Sequence, residues 1–273
     1  MSLQAVHLST IGECVDRFLN ACAVMHTPST CSAYTIDLRF FLEYVGSDSA
    51  LEAIAPAEIE GFIAHTSGKN YAWNTVARRV AAIKSFFRWA LLGGMVAMDP
   101  ARAIAAPMRR ATNRKIFSQS DIRDIIKGAP MGSREAAILE VLAVGVKATE
   151  ATFLDCRHFN LERGTLRIGA RTVILPESAY QALDVYIQQG RMAYSRNNCE
   201  ALFLNYAGGR LSRQQIWKAM RSASNATASP ADFRRSAVVN LLDSGLTPEA
   251  ILEQTGHCDT STLLAIKAGA RKD

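Results

Sequence analysis

Apolar residues recur every three or four positions along four stretches of the first hundred residues. This spacing is typical of helices that bury one face, and it predicts helices near 11–22, 30–44, 56–63 and 73–92. Pro56 suits the first turn of the third helix, because a proline there sacrifices no hydrogen bond. The first part of the chain is therefore predicted to be a compact helical bundle.

The apolar period changes in the second part of the chain. Two runs rich in β-branched residues, Thr165–Ile168 and Thr172–Leu175, flank Gly169 and predict a β-hairpin. Ser118 and Asp121 have the spacing of an N-cap and its acidic partner, which predicts a helix start. Further helices are predicted near residues 134–146, 178–189, 212–222, 231–243 and 247–255. The predicted fold class is mainly α, with a small β-hairpin or sheet in a second domain.

A basic segment separates the two periodic regions. No acidic residue lies between Asp99 and Asp121, whereas arginines and prolines do. Such a segment is typical of a linker, which predicts a helical domain at 1–107, a linker at 108–115 and a mixed domain at 116–273. Four residues of this linker are candidate contacts to a polyanion: Arg109, Arg110, Arg114 and Lys115.

Composition narrows the class of protein further. Lys and Arg number 31 against 25 Asp and Glu, a formal net charge of +6 that permits an anionic partner. The longest uncharged apolar stretch, Trp89–Met98, is too short to cross a bilayer, and the six cysteines include no Cys-x-x-Cys pair. These features argue against a membrane span, a disulfide scaffold and a zinc ribbon. We expect a soluble cytoplasmic protein with no metal site and no cofactor.

The fourth predicted helix carries a cluster of positive charge. Arg78, Arg79, Lys84 and Arg88 lie within a stretch that contains no acidic residue. Such a run is compatible with a solvated helix face, and it is also the pattern of phosphate contacts along a duplex. The basic linker that follows favours the second interpretation, because two successive basic elements can hold one polyanion.

A second candidate is Arg234, which stands at the edge of an apolar helical stripe that includes Ala237 and Val238. A guanidinium in that position needs an anionic partner. One interpretation is a structural salt bridge with Glu150. The other is a phosphate, which the planar guanidinium binds through two N–H groups. His257 follows a glycine at a predicted helix end and by itself is an ordinary loop histidine.

Several short motifs occur in a fixed order along the chain. The helical part carries Thr30-x-x-x-Tyr34-x-x-Asp37-Leu38-x-x-Phe41, Asn74-Thr75-x-x-Arg78 and Met98-Asp99-Pro100-Ala101. The second part carries Gly145-Val-Lys-Ala-Thr-Glu150, Leu202-Phe203-Leu-Asn205, Ala231-Asp-Phe-Arg234-Arg-Ser236 and Gly256-His257. Together these motifs resemble the tyrosine recombinases of the phage-integrase, Xer-like family, and the resemblance covers nearly the whole chain.

This resemblance implies a two-domain clamp on duplex DNA and a set of catalytic positions. In the family, two arginines hold the scissile phosphate, with a histidine beside the second. A hairpin lysine protonates the leaving 5′ oxygen, and a tyrosine attacks phosphorus. Arg234 and His257 match this set. Lys147 replaces the first arginine, Ala231 the histidine and Ile266 the tyrosine, and the hairpin has no lysine.

These departures predict a chain without catalytic residues that is not an enzyme. The expected function is to bind double-stranded DNA as an accessory or regulatory factor in recombination or integration, beside an active recombinase or a second copy of itself. The predicted DNA contacts are Arg78, Arg79, Lys84, Arg109, Arg110, Arg114, Lys115, Lys147, Arg171, Arg234, Arg235 and His257. Two alternatives remain open: a recombinase with a relocated nucleophile, for which Ser261 is the candidate, and a protein–protein adaptor that has lost DNA binding.

Overall fold

The computed structural model describes residues 10–69, 71–105 and 115–270. Contacts between residues divide the chain into two compact units, Met1–Ala111 and Thr112–Asp273. Each unit has a buried apolar core of its own. Apart from Lys115, the predicted linker at 108–115 lies outside the described residues.

The described part of the first unit contains four α-helices: α1 (Ile11–Met25), α2 (Pro28–Val45), α3 (Pro56–Gly68) and α4 (Trp73–Leu92). All four contribute to one core, whose buried aromatic side chains are Phe18, Phe41, Phe62, Phe86 and Phe87. Burying one such ring contributes roughly 1.5–3 kcal/mol to folding. The helical bundle predicted from the apolar spacing is thus confirmed.

Capping residues determine where the helices of this unit begin. The Thr10 hydroxyl accepts the N–H of Glu13 at 3.2 Å, and the Glu13 carboxylate accepts the N–H of Thr10 in return. Thr27 caps α2, and Pro28 occupies the first turn. Helix α2 therefore starts two residues earlier than the predicted Thr30, because a proline is tolerated where no N–H is needed.

The second unit contains the described helices α5 (Gln119–Lys127), α6 (Arg134–Ala143), α7 (Ala148–Thr152), α8 (Glu177–Gln188), α9 (Arg213–Ala223), α10 (Pro230–Asp243), α11 (Pro248–Thr255) and α12 (Thr260–Ala270). Helix α6 lies at the centre and packs against α5, α8, α9 and α10. Most of its side chains are buried, which explains why apolar residues predominate in its sequence.

Three short strands form an antiparallel sheet in the order β1 (Phe159–Asn160), β2 (Thr165–Ile168) and β3 (Arg171–Ile174). Ile168 pairs with Arg171, so the hairpin turn has two residues, Gly169 and Ala170, instead of the predicted three. Gly169 has a φ of +59°, and a two-residue hairpin turn needs such a conformation. Strand β1 has only two residues and gave no periodic signal.

Two predicted helix starts in this unit are confirmed. Ser118 and Asp121 form a reciprocal capping box at α5, and Thr247 caps α11 with Pro248 in the first turn. Helices α7 and α12 were not predicted; α7 spans only five residues. The described residues form a mainly helical fold with a small three-stranded antiparallel sheet, which confirms the predicted fold class.

Candidate phosphate-binding site

Arg234 is the half-buried cation around which the candidate site is built. The Ser229 hydroxyl caps α10 and so places Arg234 in its first two turns. The Nη1 atom of Arg234 donates to the carbonyl oxygen of Gly145 at 2.5 Å, and Nη2 lies 3.3 Å from Nδ1 of His257. Among the described residues Arg234 forms no ion pair with a carboxylate, so the alternative of a salt bridge to Glu150 is not realised.

Glu150 instead binds two other cations. Its carboxylate accepts two hydrogen bonds from the Arg171 guanidinium, at 2.8 and 2.7 Å. Nζ of Lys147 lies 3.6 Å from the same carboxylate, and the Lys147 backbone N–H donates to it at 2.8 Å. One acid therefore joins the first residue of β3 to the start of α7.

Thr255 and Gly256 position His257 at the end of α11. The buried Thr255 hydroxyl donates to the carbonyl of Ile251 at 2.6 Å and lies 2.7 Å from Nδ1 of His257. Gly256 has a φ of +66°, and a Cβ atom there would collide with the Arg171 guanidinium. A glycine is therefore required both by the backbone and by the approach of Arg171.

The pKa shifts show that this cluster is strongly cationic. Burial lowers the pKa of Arg234 to about 10, so the side chain remains charged at neutral pH. Burial, followed by the charges of Arg234, Lys147 and Arg171, lowers the pKa of His257 to about 4. Although burial opposes it, hydrogen bonding from Arg171 lowers the pKa of Glu150.

The cluster thus gathers three permanent cations around one ionised carboxylate and a neutral imidazole. Its excess of positive charge suits an oxyanion, and a phosphate is the oxyanion that a guanidinium and an ammonium bind together. Nε of Arg171 is buried and has no hydrogen-bond partner among the described residues. The arrangement can therefore hold a phosphate and stabilise negative charge on its oxygens.

The positions that depart from the family pattern at Ala231 and Ile266, and the alternative nucleophile Ser261, lie on α10 and α12. Ala231 is exposed in the first turn of α10. Ile266 packs on the small apolar cluster that joins α10, α11 and α12. The Ser261 hydroxyl donates to the Asp259 carboxylate at 2.5 Å on the exposed start of α12. Among these side chains, only Ser261 carries a hydroxyl.

The basic run on α4 contains two exposed arginines, Arg78 and Arg88, and one buried arginine, Arg79. Arg78 is exposed and pairs with Asp37 at 2.9 Å. Arg79 is only 4% exposed, and its guanidinium lies over the rings of Phe40 and Tyr71, at 4.4 and 4.1 Å from their centroids. The prediction that Arg79 contacts DNA needs correction, because its position on the buried face of α4 directs the guanidinium into the unit.

The other predicted contacts are distributed over both units. Nζ of Lys84 donates to the carbonyl of Ile104 at 2.6 Å, beside a surface cavity that Arg88 also lines. Lys115 is exposed and donates to the carbonyl of Thr227 at 3.3 Å. Arg235 forms an ion pair with Asp232 one turn earlier on α10. The candidates Arg109, Arg110 and Arg114 lie outside the described residues.

Several residues that shape the site were not among the predicted contacts. Gly145 has a φ of +90°, and a Cβ there would lie 2.9 Å from Cγ2 of Thr255. The Gln254 side chain forms two hydrogen bonds with the backbone of Ile174, at 3.0 and 2.8 Å, and so holds β3 against α11. Gly145 and Glu150 lie within a recognised motif, whereas Thr255 and Gln254 carry no local signal.

The described ranges contain neither a metal-binding cluster nor a membrane-spanning helix. No group of three or more His, Cys, Asp or Glu side chains there is placed to hold a metal ion. None of the helices in those ranges has both the length and the apolar character that a membrane span requires.

Comparisons with known proteins place the chain in a family. Residues 115–266 match the phage integrase family, and residues 15–94 match the phage integrase N-terminal SAM-like domain. The chain is 32% identical to the tyrosine recombinase XerC of Roseiflexus castenholzii over 275 residues, which cover 92% of this chain and 87% of that one. It is 27% identical to the tyrosine recombinase XerD of Listeria innocua, over 92% of each chain.

Solved structures show the same fold. A lambda integrase dimer bound to a COC′ core site has a TM-score of 0.78 at 13% identity, over 97% of each chain. A lambda integrase tetramer bound to a Holliday junction has a TM-score of 0.70 at 14% identity, over 92% of this chain and 78% of that one. The sequence matches and the fold agree on one class of protein, the tyrosine recombinase and integrase class. The chain belongs to the phage integrase family, whose relatives named above are tyrosine recombinases.

This membership corrects one prediction. Tyrosine recombinases are enzymes, so the prediction that the chain is not an enzyme, drawn from Lys147, Ala231 and Ile266, is contradicted by its relatives. The substitutions at these three positions leave the fold and the cationic cluster in place. Single positions do not decide which class a protein belongs to.

Proposed function

We propose that the chain binds duplex DNA as a subunit of a recombination complex and holds a backbone phosphate with Arg234, Lys147, Arg171 and His257. The observation that carries the proposal is the uncompensated positive charge of this half-buried pocket. Within the described residues, Glu150 is the one acid in contact with these cations, and it is already bound by Arg171 and Lys147. A phosphate would supply the missing negative charge.

Arg234 is the central ligand in this proposal. Its contacts with Gly145 and His257 hold the planar guanidinium in one orientation, so little side-chain freedom is lost when an anion binds. Lys147 has a side chain that is 44% exposed and contributes a compact charge at the edge of the pocket. A lysine keeps the charge of the family's first arginine but loses its paired N–H groups.

We assign the nucleophile of strand cleavage to a second protein in the complex. In the chemistry of the family, a tyrosine oxygen forms a bond to phosphorus while the bond from phosphorus to the 5′ oxygen breaks. Ile266, which stands at the position of the family's tyrosine, has no atom that can attack phosphorus. A tyrosine-bearing recombinase bound beside this chain would complete the reaction. The dimers and tetramers of lambda integrase on DNA support such an assembly.

Contacts outside the pocket belong to the same proposal. We assign DNA binding both to a helical domain at 1–107 and to a mixed domain at 116–273, joined by a basic linker at 108–115. Exposed cations on α4 support the first assignment. The proposed contacts are Arg78, Lys84, Arg88, Arg109, Arg110, Arg114, Lys115 and Arg235, of which Arg88 is exposed on α4.

Titration of a fluorescent duplex tests the binding proposal. Arg234→Gln should weaken binding about tenfold, because one charge-assisted contact is lost. Arg163→Gln is the matched control, since Arg163 is exposed and its side chain forms no ion pair within the described residues. Unchanged affinity in Arg234→Gln would contradict the proposal. An absence of binding at about 50 mM salt would favour the adaptor alternative.

A nicked suicide substrate tests the source of the nucleophile. The chain is mixed with a tyrosine-bearing relative and the duplex, and covalent adducts are separated after denaturation. We expect an adduct on the tyrosine of the relative, formed more slowly when Arg234→Gln replaces the wild-type chain. An adduct on this chain that Ser261→Ala abolishes would contradict the assignment and place the nucleophile at Ser261, whose hydroxyl is bonded to Asp259.

A further inference from the structure

A cavity of about 700 Å³ lies within the second unit, apart from the phosphate pocket residues. Residues of α5, α6, β3, α8, α10 and α11 line it. Most of its wall is apolar and is formed by Ile122, Ile126, Val144, Leu175 and Leu241. The volume lies within the range of pockets that bind small molecules, roughly 300–1,000 Å³.

Glu140 places a carboxyl group in this apolar wall. The residue is 9% exposed, and Oε2 lies 3.2 Å from the Ser178 hydroxyl. Among the described residues no other group bonds the carboxyl, and no cation pairs with it. Burial raises the pKa of Glu140, which shows that its charge is poorly compensated. The second oxygen, Oε1, has no hydrogen-bond partner among the described residues and is free to accept a donor.

We propose that this cavity binds a small apolar molecule with a protonated amine, whose ammonium group bonds Glu140. The two polar side chains that α10 and α11 contribute to the wall already have partners. Asn240 donates to the carbonyl of Phe117 at 3.3 Å, and Gln254 is bonded to the backbone of Ile174. Glu140 is thus the acceptor that the cavity offers to a ligand, and an ammonium satisfies both its hydrogen bonding and its charge.

An anionic ligand is the alternative, because two exposed cations lie at the edge of the cavity. Arg123 and Lys127 line the cavity and are exposed, and Lys127 is paired with Asp124 at 3.1 Å. An anion that entered the cavity would face the Glu140 carboxyl and would lose solvation without gaining a buried partner. The buried acid therefore favours the cation.

Three elements that line the cavity also hold residues of the phosphate pocket. Ala237 follows Arg234 by one turn of α10, Gln254 directly precedes Thr255, and Ile174 ends the strand that Arg171 begins. A ligand that fills the cavity would hold these elements in the arrangement that brings Arg234, Arg171 and His257 together. We infer that such a ligand strengthens DNA binding; this part rests on the function proposed above.

Calorimetric titration of the full chain with 2-naphthylmethylamine tests the site. The control ligand is 2-naphthylacetate, which has the same rings and the opposite charge. We expect saturable binding of the amine, weakened about tenfold by Glu140→Gln and retained in Ser178→Ala, which keeps the carboxylate. Equal binding of the acetate, no saturable binding of the amine, or an unaffected Glu140→Gln variant would overturn the proposal. Thermal melting establishes that each variant is folded.

Titration of duplex DNA at saturating amine then tests the coupling. The expected gain in DNA affinity is about fivefold or more in the wild type and is absent in Glu140→Gln. Unchanged or reduced DNA affinity with the amine bound would overturn the coupling. If the chain binds no DNA, the calorimetry still decides the ligand site, so the two failures are distinguishable.

Discussion

Arg79 shows how the position of a charged residue on a helix decides what it does. It lies in a basic run with Arg78 and Arg88, yet it is buried and 3.7 Å from Asp37, whereas Arg88 is exposed. Its flanking apolar positions, Val76 and Ile83, belong to the buried face of α4. Helical geometry therefore assigns Arg79 to the interior and Arg88 to solvent.

Substitution of these two arginines should separate stability from DNA binding. Arg79→Ala should lower the free energy of unfolding by about 3 kcal/mol, because it leaves the buried Asp37 with one cation fewer. Arg88→Ala should change the free energy of unfolding by less than about 0.5 kcal/mol. Urea denaturation of the full chain measures both. Equal destabilisation by the two variants would contradict the buried position of Arg79.

The imidazole of His257 makes stability depend on pH in a defined window. The unfolded chain takes up this proton near its ordinary pKa of 6.5, whereas the folded chain does so near 4. Between these values the unfolded state binds more protons, so stability falls as the pH is lowered from about 6.5 to 4. Above this window the imidazole is neutral in both states, and its contribution is constant.

His257→Gln should remove that part of the pH dependence. We expect the difference in unfolding free energy between wild type and variant to shift by about 1–2 kcal/mol between pH 7 and 4.5, a value reduced for the partial exposure of the ring. Urea denaturation at both pH values measures it. A difference that is the same at pH 7 and 4.5 would show that the imidazole is not desolvated as the structure indicates.

At the scale of elements, Gly256 and Gly269 form a matched pair for substitution by alanine. Gly256 ends α11 at positive φ beside Arg171, whereas Gly269 lies within α12 with open space around its Cα. Gly256→Ala should destabilise the chain by about 1–2 kcal/mol and displace Arg171 from Glu150. Gly269→Ala should be neutral or stabilising by up to about 1 kcal/mol.

Thermal denaturation and duplex titration measure both variants. Gly256→Ala should weaken DNA binding, because Arg171 leaves the pocket, and Gly269→Ala should not. Full DNA affinity in a destabilised Gly256→Ala variant would mean that Arg171 does not contribute to the pocket.

Long helices with one apolar face can be predicted from the sequence, whereas very short elements cannot. The helices of the first unit each bury one apolar face, so their period is visible in the sequence. Strand β1 has two residues and α7 has five, which is too short for either period to be read. Helix α7 depends on contacts with α9, which is distant in sequence, and β1 forms only by pairing with β2.

The same distinction applies to the site. Arg234 and His257 could be found because they lie in short motifs whose residue types are themselves informative. Arg171 bonds Glu150 across 21 positions, and Gln254 bonds Ile174 across 80. Such pairs are created by packing of the whole unit, so no local pattern in the sequence specifies them.

For the whole molecule, the central question is whether both units contact one duplex. Each phosphate contact releases counterions, so the logarithm of the affinity should fall linearly with the logarithm of the salt concentration, with a slope of about −0.9 per contact. Arg234→Gln and Arg88→Gln each remove one charge, from the second and the first unit respectively. Each should reduce the magnitude of the slope by about one.

The double variant decides between one shared duplex and separate binding. If both units bind the same DNA, the two reductions should add, because the two arginines belong to different units and share no hydrogen-bond or ion-pair partner among the described residues. Arg163→Gln, the exposed control, should leave the slope of each variant unchanged. If only one unit binds DNA, one of the two single variants will have the wild-type slope, and the double variant will match the other. If neither substitution changes the slope, neither the phosphate pocket nor α4 contacts the DNA.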